Sequence, residues 1–120
     1  MMSTSLVQYI LVRTDLKTSL AWPLGAIIAQ ACHASTAALH KFASHEQTQA
    51  YLADLDNMHK VVLGIDDEPK LAQFSVQLEA EDIDFVLWRE QPENILTALA
   101  LRPYIKKDVC HLLKQFPLVK

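Results

Sequence analysis

Between Trp22 and Phe42 the chain reads WPLGAIIAQACHASTAALHKF, and its few polar residues can be weighed one at a time. Pro23 has the fixed φ and missing N–H that suit a first helical turn, and no breaker follows Gly25, so the stretch predicts a helix. At about 100° per residue, Gln30, His33, Ala37, His40 and Lys41 share one face, with Ala26 one turn before Gln30. Ile27, Ile28, Ala31, Cys32, Ala34, Ala38, Leu39 and Phe42 form the apolar face, and Ser35 is its one polar member. A narrow stripe of Gln and His beside a deep apolar side is a place to look for function; the plainer reading is a core helix with a tolerated polar edge. His33 and His40 either line a cleft or are hydrogen-bonded structural histidines.

Other reactive side chains offer less. Cys32-His33 and Cys110-His111 are adjacent pairs, and neighbours on a helix diverge too far to act as a dyad. No Cys or His spacing suits zinc, so no metal or cofactor is expected, and both cysteines read as small buried apolar residues. With two glycines in all, there is no Walker loop, no GxGxxG and no GxSxG. Asp15 and Lys17 follow the first strand at its carboxyl end, where open α/β sheets place ligands, and Glu90 and Gln91 follow the third. Lys107 and Lys114 share a face of the last helix, with Arg102, Lys106 and Lys120 nearby, a small basic patch.

The elements that must hold these residues follow from periodicity. Leu6–Arg13 is an almost continuous apolar run, as expected of a strand covered on both faces. Residues 14–21 read as a polar loop, and Ser44 with Gln47 reads as a capping box opening a second helix through Tyr51, Leu52 and Leu55. Lys60–Ile65 is a second strand, and Asp66-Asp67 cap a helix near Pro69 carrying Leu71, Phe74 and Leu78. Ile83–Trp88 reads as a third strand, residues 89–94 as a loop, and Ile95–Leu101 as a fourth strand. Ile105, Val109, Leu112, Leu113 and Phe116 mark a last helix. Strands alternating with helices imply one three-layer α/β/α domain over residues 1–120, with a mixed four-stranded sheet because the last two strands are joined by a short link.

A chain of 120 residues supports one core. A net charge of −3 and a pI near 5.9 offer no general attraction to phosphate. No signal peptide is read at the start, no stretch approaches a membrane span, and the unpaired cysteines suit a reducing, cytoplasmic setting.

The segments QYILVRTDLK and GAIIAQACHA resemble the archaeal and eukaryotic (type II) peptidyl-tRNA hydrolases, whose opening runs strand, VRxDLK, then a GKxAAQxxHA helix. AYLADL, HKVVLGIDDE, DFVLWREQPENI and TALALRPY are similar to one eukaryotic branch of that family, and the likeness spans Val7 to Lys120. It implies a mixed four-stranded sheet between helices and metal-independent hydrolysis of the ester joining a peptide to the 3′ end of tRNA. By the same resemblance Gln30 stands at the helix glutamine, Asp15 at the DLK aspartate, His33 at the helix histidine and Thr97 at a threonine of the last strand. The catalytic lysine falls on Ala26, the catalytic aspartate falls at or beside Glu90, and the following GKT segment is replaced by QPEN. Catalytic roles are thus expected of Gln30, Glu90 and Thr97, and substrate contacts of Asp15, Lys17, His33, Lys107 and Lys114. The expected partner is tRNA or peptidyl-tRNA. Three outcomes stay open: a divergent hydrolase of reduced activity, a non-catalytic tRNA- or protein-binding module, or a protein acting through a homodimer surface.

Overall fold

The computed structural model describes residues 5–120. β1 (Leu6–Arg13) is buried from Val7 onward, because it lies inside the sheet with a neighbour on each edge and helices over both faces. It pairs parallel with β2 (Lys60–Ile65) and antiparallel with β4 (Ile95–Leu101). β3 (Phe85–Glu90) completes the order β2-β1-β4-β3, and the short β5 (Tyr104–Ile105) pairs with the start of β1. The sheet is mixed, with the four main strands that the sequence predicts, and β5 is a short addition that it does not announce. A parallel pair needs a crossover, supplied by α1 (Asp15–Thr18), α2 (Leu24–Lys41) and α3 (Glu46–Ala53). The antiparallel β3–β4 pair needs only the turn 91–94, where Asn94 adopts a left-handed φ of 59° and its N–H bonds Glu90 O at 2.7 Å.

Alternation along β1 divides the core. Val7, Tyr9 and Leu11 pack against α4 (Glu68–Ala80) and α5 (Lys106–Leu113), joining Leu71, Phe74, Leu78, Val109 and Leu112. Ile10 and Val12 point the other way, into a layer containing Ala34, Ala38, Ala98, Ala100 and Leu16 beneath α2. Gln8 lies buried among polar partners. Its Nε2 donates to Ser35 O and Leu101 O, and its Oε1 accepts from Ser35 Oγ at 2.7 Å and Lys60 Nζ at 2.6 Å. The amide's carbonyl and N–H groups are both bonded, so a polar group survives inside the fold.

Helix ends follow local chemistry. Asp67 accepts from Lys70 N and opens α4 as expected. At the other end Asp82 has φ 58°, its N–H bonds Glu79 O, and Ile83 N–H bonds Leu78 O, a Schellman closure. That closure is why Ile83 lies outside β3. The strand instead runs on through Arg89 and Glu90, because β4 offers Leu96 and Ile95 as partners.

Four further expectations are corrected. The 14–21 segment is not all loop: α1 forms there and buries Leu16. α3 is capped by His45, whose Nδ1 accepts from Gln47 N, rather than by Ser44. Ile105 and Phe116 flank α5 rather than belonging to it, Ile105 because β5 pairs it with Leu6. Cys32 is exposed and Cys110 only half-buried, so neither is a core residue. The outer edge of β2 is covered by the C-terminal segment: Gly64 N bonds Pro117 O, and Val119 N bonds Val62 O. A Cβ on Gly64 would meet Thr14 Cγ2 at 2.7 Å, which explains glycine at this point.

Candidate active site

α2 is rotated relative to the helical-wheel expectation. Its buried residues are Gln30, Ala34, Ser35 and Ala38, whereas Ile28 is 54% exposed. The sheet beneath has methyl-sized residues at Ala98 and Ala100, so the small face of α2 settles onto it and carries Gln30 inward with Ala34.

A bulge in β4 meets that glutamine. β3 and β4 stay in step from Phe85↔Leu101 to Trp88↔Ala98 and resume at Arg89↔Leu96, which leaves Thr97 as the extra residue. Bulges re-aim side chains. Strict alternation would send Thr97 away from Ala98, yet Thr97 Oγ1 donates to Gln30 Oε1 at 2.7 Å while Ala98 also packs under α2. Gln30 Nε2 donates to Ala26 O at 3.2 Å. Gln30 is 2% exposed and Thr97 is fully buried, so the pair braces α2 against β4 from the interior.

On the outer strand, alternation places Val86, Trp88 and Glu90 on the α2 side. His33 stacks on Trp88 with ring centroids 4.6 Å apart and planes 16° from parallel. Trp88 Nε1 donates to Glu90 Oε1 at 3.0 Å, and His33 Nε2 stands 4.0 Å from the same oxygen. Glu90 is 23% exposed and His33 45%, so a carboxylate and an imidazole face solvent together. A shallow groove continues along α2 between Cys32, His33, Thr36, Ala37, His40 and Trp88. The buried brace and the exposed cluster are adjacent, since Gln30 and His33 are one helical turn apart and Trp88 pairs with Ala98, next to Thr97.

The structure therefore brings Gln30, Thr97, His33 and Glu90 together along the middle of α2, with half-buried Ala26 one turn before Gln30. Asp15 is elsewhere. Both its carboxylate oxygens are held by Arg13 at 2.9 Å, and Arg13 Nη1 reaches Leu96 O. That hydrogen bonding, against an opposing cost of burial, raises the Arg13 pKa and makes Asp15 a latch between β1 and α1. Lys17 is exposed on α1, with no side-chain partner among the described residues. Lys107 and Lys114 are exposed at α5, across the sheet from α2. Arg102 is not part of a surface patch: it is buried, donating to Asp84, Gln47 and Pro103 O with its guanidinium 3.7 Å from the Tyr104 ring centre.

Trp88 is the residue that sequence reasoning misses, since in the sequence it marks only the end of an expected strand. The signal was its spacing, two residues before Glu90 and so on the same face.

A group able to orient water, a neighbouring imidazole and a braced helix suit hydrolysis of a carbonyl ester. The family model for "Peptidyl-tRNA hydrolase PTH2" matches residues 6–119. Two proteins named "Putative peptidyl-tRNA hydrolase PTRHD1", from Homo sapiens and Mus musculus, are each 52% identical over 116 residues, covering 96% of this chain and 83% of the relative. With the family model matched from β1 to the C-terminal segment, the chain belongs to the PTH2 family of peptidyl-tRNA hydrolases.

Proposed function

We propose that this chain hydrolyses the ester between a peptide and the 3′ end of tRNA, in the cytoplasm and without a metal, through a divergent site. The observation that carries the reading is the solvent-facing Glu90 carboxylate held beside His33, next to the stretch of α2 that the Gln30–Thr97 hydrogen bond secures. Glu90 takes a proton from water as the water oxygen bonds to the ester carbonyl. The tetrahedral oxyanion then collapses, the bond to the ribose oxygen breaks, and that oxygen leaves with the proton that Glu90 had accepted, which returns Glu90 to its carboxylate form. Gln30 and Thr97 orient the site from beneath, and His33 contributes a contact to the substrate at the rim.

At the family's catalytic lysine position stands Ala26, whose side chain offers the oxyanion neither charge nor hydrogen bond. Losing one such donor costs about a hundred- to a thousandfold in rate, so slow turnover is expected. Lys107 and Lys114 would then contact phosphates of the tRNA body rather than the reacting end. Reversing both charges to Glu should reduce the salt slope of tRNA binding by roughly 0.7 to 0.9 per lost contact.

Release of tRNA from a defined peptidyl-tRNA by purified protein tests the reading. Slow release that falls on Glu90→Gln supports it. Saturable tRNA binding with no release would establish the second reading, a non-catalytic module. That alternative is favoured by Ala26 and by the burial of Gln30 and Thr97.

A further inference from the structure

A glutamate near a strand end has three rotatable side-chain torsions and, left to itself, samples many positions. Glu90 is restrained by one side-chain hydrogen bond among the described residues, from Trp88 Nε1 to Oε1 at 3.0 Å. The indole is itself held. Its strand pairs it with Ala98, and the His33 ring lies nearly parallel to it at 4.6 Å. An indole N–H is a donor only and does not titrate near neutral pH, so it favours a hydrogen-bond acceptor at that point whatever the state of His33. It also occupies one oxygen while Oε2 has no protein partner among the described residues, a division suited to a group whose second oxygen must meet water.

We infer that Trp88 is a positioning residue: its N–H aims the Glu90 carboxylate, and the His33 stack aims Trp88. The inference deepens the reading of Glu90 as the water-orienting base and rests on it for its kinetic consequence. A purely packing role for Trp88 makes a different prediction, because phenylalanine would then serve as well.

Two measurements separate the possibilities. In ¹⁵N-labelled protein the indole signal of Trp88 is expected to shift on Glu90→Gln, while that of Trp22 serves as internal reference and stays in place. In peptidyl-tRNA hydrolysis Trp88→Phe is expected to lower kcat about tenfold with KM nearly unchanged, the size of one hydrogen bond to a charged group. In the Glu90→Gln background the same substitution should add no further loss, because its effect passes through that carboxylate. An unmoved indole signal, a Trp88→Phe enzyme with wild-type kcat, or a full additional loss beside Glu90→Gln would each overturn the inference. Should the wild-type chain release no tRNA, the hydrolase reading fails, and the indole signal alone then decides whether Trp88 holds Glu90.

Discussion

The two faces of the sheet are built from different materials. Towards α4 and α5 the strands present Leu11, Leu63, Leu99 and Leu101 against Leu71, Phe74, Leu78 and Leu113, with Phe74 and Phe116 meeting edge-to-face at 4.8 Å. Towards α2 they present Ala98 and Ala100 against Ala34 and Ala38, and the hydrogen bonds of Gln8–Ser35–Lys60, Gln30–Thr97 and Trp88–Glu90 sit around that contact. Large interlocking side chains supply much apolar burial, at about 25 cal/mol per Å². Small ones bring a helix close enough for its amide and hydroxyl groups to reach strand side chains directly. One face is thus suited to stability and the other to holding polar groups in register.

The largest effects should break that contrast in stability. Leu99 and Ala98 are consecutive, fully buried and on opposite faces. Leu99→Ala should cost about 2–5 kcal/mol by opening a cavity, and Ala98→Leu about 1–3 kcal/mol by forcing α2 away. Urea titration reads both, and an Ala98→Leu protein as stable as wild type would show that the α2 contact is not tight.

The second test sharpens the contrast in chemistry. Ala26→Lys places a cation one turn before Gln30 on a helix that tolerates lysine. It should raise peptidyl-tRNA hydrolysis by up to about a hundred- to a thousandfold, and Gln30→Ala in that background should abolish the gain. A folded Ala26→Lys protein with no gain would mean that a cation at this position is not sufficient for turnover. A wild-type rate already typical of the family would point to another donor, such as Lys17.

A smaller effect is expected at the brace. Thr97→Val keeps the shape but leaves Gln30 Oε1 without its donor, at a cost of about 1–3 kcal/mol. Thr97→Ser should retain most of the stability, and equal losses in the two variants would count against the hydrogen bond.

The smallest effect concerns pH. Lys60 is exposed along its length, but its ammonium turns in to Gln8 and Ser35, and desolvation lowers its pKa from the ordinary 10.5. Between that lowered value and about 10.5 the unfolded chain binds more protons than the native one, so stability should rise with pH in this window. Buried Tyr9, Tyr51 and Tyr104, whose pKa values burial raises, act in the opposite sense above about pH 10. The difference in stability between wild type and Lys60→Met, followed against pH, isolates the lysine. A difference that does not change with pH would remove its titration from the account.

Local chemistry alone determined most elements here. The apolar run of Leu6–Arg13, the Asp67 cap and the Ile95–Leu101 strand are legible because each depends on neighbours a few residues away. Gln30 and His33 of α2 are legible in the same way, as types at a spacing, whereas Thr97 of β4 is pointed to only by the resemblance to the family. Which of them meet was decided by tertiary packing. The wheel of α2 put Gln30 outside, but an alanine-lined sheet face drew it in. Strand alternation gave no hint that Thr97 would share a face with Ala98, since a bulge depends on the partner strand. Arg13 reaches Leu96 O and Arg102 reaches Asp84 because a buried guanidinium must find acceptors, and only the folded chain provides these two. Residues 67 apart, Thr97 and Gln30, become partners because two layers close on each other, a fact that no local pattern contains.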